Sequence, residues 1–280
     1  MSAWTATIGT TGLVVGKGTT YPWAIMPDLF GVPEIRTVDY YRPARHGEVA
    51  GQDLLAARTV VLEVHVNAAI EEDAETALHQ LTVAFSAVDA DTTLDIEVTG
   101  AVAYRLYGRP RGVEVALDKQ VRGGVIRARC TFKAMDPRLY IAAAQTLPIS
   151  LAGGGGGLTF NATADFTFGG AVSGGTATAT VAGTIPVPWV ATMTGPLTNP
   201  IFEHVGQGRQ IALVGTVNAG ETLVVDSDAR TILLNGTTSR YSFLSSTSRW
   251  FDLTPGANLL AFRTSSGTGT LSLAYRAAYI

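Results

Sequence analysis

Between Arg138 and Glu203 the chain carries one charged residue, Asp165, and no lysine follows Gln145. Ahead of that stretch charges are frequent. A shift this sharp marks a change of domain near residues 137 to 147. It divides the chain into an expected N-terminal domain, 1–144, and a C-terminal domain, 145–280. The 280 residues suffice for two ordinary domains. Apolar residues make up 46% and charged residues 15%, where about a quarter charged is usual. Such a chain buries a proper core rather than staying disordered.

The first domain reads as α+β. Val60, Leu62, Val64 and Val66 alternate with polar neighbours, which is the period of a half-buried strand. Leu94, Ile96 and Val98 repeat the pattern. Val102 to Tyr107 and Gly112 to Leu117 read as two further strands. Val125 to Lys133 closes the set, with Ile126, Ala128, Cys130 and Phe132 inward. One helix is expected between the first two strands. Ile70, Ala74, Ala77, Leu78, Leu81, Phe85 and Val88 share a face at helical spacing. Glu71, Glu72, Asp73 and Glu75 crowd its first turns, where the helix dipole favours negative charge.

The second domain reads as all-β. Short apolar runs at Gln210 to Gly215, Glu221 to Asp226, Arg230 to Leu234, Arg249 to Leu253, Leu259 to Thr264 and Leu271 to Ile280 are separated by turn chemistry. The turns are 218–220, Asn235-Gly236, 255–258 and 267–269. Asn-Gly is the strongest of these signals because both residues tolerate positive φ. Many short antiparallel strands of this kind make a β-sandwich or jelly roll. The unbroken glycine run 153–157 reads as a loop tip or tether.

Charge and motifs exclude several functions. A net charge of −3 gives no basic footprint for nucleic acid. No leader pattern and no apolar run of ~18 residues is present, so a soluble protein without membrane insertion is expected. The single cysteine, Cys130, lies on the apolar phase of its strand and reads as core. No Gly-x-Ser-x-Gly occurs, and Ser173 lacks the upstream glycine. Gly16-Lys17-Gly18 is only a fragment of a phosphate loop. Asp89, Asp91 and Asp95 have partial calcium-loop spacing, but Leu94 stands where glycine is required and Gly100 where the closing acid should be. His46, His65, His79 and His204 have no ligand spacing. No catalytic residue, metal or cofactor is expected. Carboxylate pairs converge in space rather than in sequence, so Asp165, Glu203, Glu221, Asp226, Asp228 and Asp252 stay open. Trp189, Tyr241, Trp250 and Tyr275 are candidates for stacking on a sugar, with Trp250 and Tyr241 the pair a glycan site would use. Trp250 and Phe251 face opposite sides of an alternating run.

Two segments carry a resemblance. The first is Ala134-Met-Asp-Pro-Arg-Leu-Tyr140. The second runs Gly195-Pro-Leu-Thr-Asn-Pro200, Ala219-Gly-Glu-Thr-Leu-Val-Val-Asp226, Asn235-Gly236, Trp250-Phe-Asp-Leu-Thr-Pro-Gly-Ala-Asn258 and Tyr275-Arg-Ala-Ala-Tyr279. This order resembles the distal tail proteins of long, non-contractile-tailed phages. In physical terms these residues specify a fold. Gly220, Gly236 and Gly256 sit in turns that favour positive φ, Pro255 fixes φ, and Asp226, Asn235 and Asn258 can bond nearby backbone. The resemblance implies a mainly β protein: a tail-tube-like split barrel or sandwich with one helix, then a galectin-like or carbohydrate-module-like sandwich. It implies a structural virion protein forming a ring, commonly a hexamer, at the distal end of the tail tube. The implied partners are the tail tube protein, a hub or fibre protein and the tape-measure protein. The alternative is a glycan-binding module of the tail tip that meets a host cell-surface sugar.

Overall fold

The structure is a computed structural model and describes residues 4–25, 29–68, 71–98, 102–116, 125–151 and 175–280. Ile70, Gly100, Leu117, the glycine run 153–157, Asp165 and Ser173 lie outside the described residues. The chain divides into two compact units, one of Met1–Ala142 with Tyr279–Ile280 and one of Ala143–Ala278. The described residues are mostly β-sheet with a single α-helix.

In the first unit, seven strands pair antiparallel in the order Leu13–Gly16, Thr5–Ile8, Thr92–Glu97, Ala103–Ala116, Val125–Ala134, Arg58–Asn67 and Trp23–Ile25. The two end strands of this path are consecutive in the chain, and the Gly16 amide donates to the Tyr21 carbonyl at 2.8 Å. The sheet therefore curls into a half-barrel. Its inner face follows the alternation: Cys130 sits opposite Leu62, Phe132 opposite Val60 and Ala128 opposite Val64, all buried. The helix Glu71–Ala84 covers this face with Ala74, Ala77 and Leu81. The Tyr21 hydroxyl donates to the Ala77 carbonyl at 2.8 Å, tying the helix to the curled edge. The helix stops at Ala84, short of the Val88 that shares its phase in sequence. The Ser86 hydroxyl then donates to the Val83 carbonyl at 2.8 Å and takes the chain out of helical geometry.

The outer sheet face is polar and internally paired. Arg105 grips Asp95 with two hydrogen bonds of 2.7 Å, which hold its guanidinium pKa above the usual range. Arg109 meets Asp91 at 2.6 Å. Ala103–Ala116 is one strand, not two, because the register shift between Pro110 and Val113 is absorbed as a bulge. Gly112 at φ 113° turns the strand without ending it.

Burial pushes the Cys130 thiol up to about 12, so at neutral pH it is a protonated, enclosed thiol. The native protein is expected to resist a maleimide at pH 8 and to react fully once denatured. The same shift gives a sign for alkaline stability. The unfolded thiol ionises near its ordinary value of about 8.5, while the folded one holds its proton to about 12. Its contribution is complete below the first value and is lost as pH rises toward the second. Tyr140, raised chiefly by burial and next by its bond to Asp136, acts in the same direction. A melting temperature unchanged from pH 8 to 11 would contradict this.

The second unit is a sandwich. One sheet runs Gln145–Ser150, Thr270–Tyr275, Trp189–Thr194, Thr222–Asp226, Thr231–Leu234 and Thr238–Ser239. The other runs Gly175–Val181, Gly256–Arg263, Ile201–His204 and Arg209–Ala212. The faces meet at Trp189 of the first sheet and Phe202 of the second, edge to face at 4.8 Å. Phe251 packs against both rings. The segment Arg249 to Leu253 is not a strand, contrary to its alternation. The Phe251 carbonyl is taken by the Trp189 indole N–H at 2.9 Å, and only Leu253 makes a bridge, to Val187. Leu271 to Ile280 likewise breaks after Tyr275, where Thr270–Tyr275 ends.

Candidate functional site

The surface of the first unit that differs most from an ordinary domain exterior is a hairpin arm, residues 34–55. It has two short ladders. Ile35 pairs with Leu55 and Arg36 with Leu54; further out, Tyr40 pairs with Val49 and Tyr41 with Glu48. Between them the Gly51 amide donates to the Asp39 carboxylate at 3.0 Å. Gly51 is needed there, because a Cβ would collide with the Val38 carbonyl. The arm turns at 42–47 through Ala44 and Gly47, both at positive φ.

From Glu34 to Leu54 every residue except Gly51 is exposed. These include Ile35, Val38, Val49, Leu54, Tyr40 at 62% and Tyr41 at 85%. Single exposed apolar residues are normal on a surface, whereas six on one small element make it a candidate interaction site. A lone two-stranded hairpin is also marginal in water. The arm's root is firm. Arg58 is buried and donates to the carbonyls of Leu29 at 2.8 Å, Gly31 at 2.7 Å and Pro137 at 3.0 Å. The Ala56 amide closes on the Glu34 carbonyl at 2.8 Å. The arm thus offers apolar area, aromatic rings and a tip bearing Arg42, Arg45 and His46. That is equipment for protein contact. In the sequence the arm is marked only by the paired tyrosines ahead of Pro43 and Gly47.

In the second unit the turn residues of the sequence pattern stand at several separate places. Asn235 and Gly236, at φ 52° and 75°, form the turn from Thr231–Leu234 to Thr238–Ser239, and the Asn235 side chain accepts from the Thr222 amide at 3.0 Å. Asp226 accepts from the amides of Asp228 and Ala229 at 2.9 and 3.0 Å. Gly220 occupies a separate turn. Pro255 stands just ahead of the strand Gly256–Arg263, whose third residue, Asn258, is fully buried and bonded to His204 at 2.9 Å. The His204–Asn258 pair was not foreseen, since 54 residues separate its members.

Two of the four aromatic candidates lie in the core. Trp189 and Tyr275 are buried and serve the core, so neither is a platform for a sugar. Trp250 is half-buried, with Phe251 turned inward. Tyr241 is 49% exposed in the short turn Tyr241–Phe243. Among the described residues no group of three or more His, Cys, Asp and Glu is arranged to hold a metal ion.

Residues 182–279 match the family described as siphovirus-type tail component, C-terminal domain. The chain resembles a siphovirus distal tail protein. The fold of the crystal structure of SPP1 Dit, described as a paradigm of hub adsorption apparatus in Gram-positive infecting phages, is similar over 99% of both chains at a TM-score of 0.68 and 13% identity. Two structures of the phage P2 baseplate in its activated conformation, with Ca and with Sr, are similar over 97% of this chain and 98% of theirs. Their TM-scores are 0.54 and 0.53, each at 9% identity. At these identities the likeness is one of fold. A comparison with curated proteins finds no match.

Proposed function

We propose that this chain is a non-enzymatic structural protein of a long, non-contractile phage tail. It forms a ring, a hexamer, at the distal end of the tail tube and links the tube to the host-recognition apparatus of the tail tip. The observation that carries this reading is a fold likeness to a tail hub protein that runs through 99% of the chain and so includes both units. The hairpin arm supports it independently, because an exposed apolar element on a rigid root calls for a protein neighbour. The partners are further copies of the chain, the tail tube protein, the tape-measure protein and a hub or fibre protein. The protein is assembled in the host cytoplasm and resides in the virion tail tip. The first unit makes the ring.

Electron microscopy and native mass spectrometry of the full chain are expected to give a closed ring with a central channel. A monomer, alone and with tail tube protein, would overturn the reading. A glycan-binding role rests on half-exposed Tyr241 and half-buried Trp250 and takes second place. Titration with host wall polysaccharide tests it: binding abolished by Tyr241→Ala would favour it, and no binding would remove it.

A further inference from the structure

The arm has an acceptor of fitting chemistry on the same unit, and both surfaces are exposed within one copy. The helix Glu71–Ala84 contains no lysine or arginine. Its outward stripe is Glu72, Glu75, Thr76, His79 and Val83, at spacings of three and four residues that align on one face. One end of the stripe is acidic. The other ends in Val83, a valine 61% exposed on the solvent side of an amphipathic helix. The arm has the complementary order: Arg42, Arg45 and His46 at the tip, with no acid from Tyr40 to Gly47, and Tyr40, Tyr41 and Val49 immediately behind. Among the described residues, neither the Arg42 nor the Arg45 guanidinium has an ion pair within its own copy.

We propose that the arm of one copy docks on the outward face of the helix Glu71–Ala84 of the next, with Arg42 and Arg45 against Glu72 and Glu75 and the arm's apolar residues toward Val83. This rests on the ring reading above and names its contact. Donor and acceptor are different surfaces of one chain, so the contact is heterologous and repeats from copy to copy until rotation closes the ring. A polyanion is a poorer occupant, because Glu34, Asp39, Glu48 and Asp53 line the flanks of the arm. A second copy satisfies the charge, covers the tyrosines and supplies the support a two-stranded hairpin lacks.

The test is a charge exchange in the full chain, comparing R42E/R45E with E72K/E75K. All four positions are exposed, so both variants should melt as the wild type does. Each alone is expected to shift assembly toward monomer by about a hundredfold or more, because like charges then face each other. An equal mixture should restore rings, since each reversed tip meets a reversed helix. Native mass spectrometry would then show alternating copies, three of each in a hexamer. Variants that each assemble as well as wild type, or a mixture that stays monomeric while wild type forms rings, overturn this contact alone. Wild type that is monomeric throughout overturns the ring reading itself.

Discussion

Replacing Asn258 with alanine is expected to destabilise the second unit by about 3 kcal/mol or more, seen as a lower urea midpoint in tryptophan fluorescence. The side chain is fully buried and every polar valence is used. Its two amide protons are shared among the carbonyls of Ala179 at 3.2 Å, Thr254 at 2.8 Å and Gly256 at 3.0 Å. Its oxygen accepts from the Thr254 amide at 2.9 Å, the Thr254 hydroxyl at 3.0 Å and the His204 ring at 2.9 Å. The His204 tautomer follows from its other nitrogen. Nδ1 accepts from the Gln207 amide at 3.2 Å, so the ring proton is on Nε2 and points to Asn258. Alanine would strand these groups in the interior, at about 1–3 kcal/mol for each one left unsatisfied. The control is Asn258→Asp, which keeps the shape. If hydrogen bonding is the cause, Asp is as damaging as Ala, because a carboxylate would face three carbonyl oxygens. If only volume matters, Asp is nearly neutral and the argument fails.

Where one face of an element is buried, the sequence announces it. The alternation from Val60 to Val66 lies within Arg58–Asn67, and the helical phase from Ala74 to Leu81 lies within Glu71–Ala84. The β-rich fold class was therefore readable from local periodicity and turn chemistry alone. The failures share a cause. Arg249 to Leu253 alternates as a strand would, with Phe251 buried beside half-buried Trp250. Its backbone, however, is claimed by a side chain, the Trp189 indole, and no pattern of one segment reveals a partner 62 residues away. The arm was illegible for the opposite reason. Neither of its faces is covered within the chain, so Ile35, Val38, Tyr40, Tyr41 and Val49 follow no period against polar neighbours. Periodicity reports burial within one chain, and an element whose partner is another molecule has none to report.

Arg58→Ala should cost the first unit about 3 kcal/mol or more and should also weaken assembly, a pairing that separates it from an ordinary core mutation. The guanidinium bonds three backbone carbonyls from two parts of the chain, Leu29 and Gly31 just before the arm, and Pro137 beyond the last long strand. Hydrogen bonds from a charged donor contribute about 1.5–3 kcal/mol each, and removing the donor leaves buried oxygens without partners. Arg58→Lys should recover only part of the loss, because a single ammonium cannot span the positions that the planar fork reaches at once. The link to assembly is mechanical. Residues 29–31 and Ala56 form the root of the arm, so loosening Arg58 frees the arm's direction before the sheet melts. Ring occupancy at 25 °C is therefore expected to fall for Arg58→Ala while far-UV circular dichroism still reports a folded chain. A buried Leu62→Ala variant of matched melting temperature, on the inner face and with no bond to the root, should keep its rings. Equal loss of rings in both variants would reduce Arg58 to a core residue; rings lost only in Arg58→Ala would tie assembly to the arm.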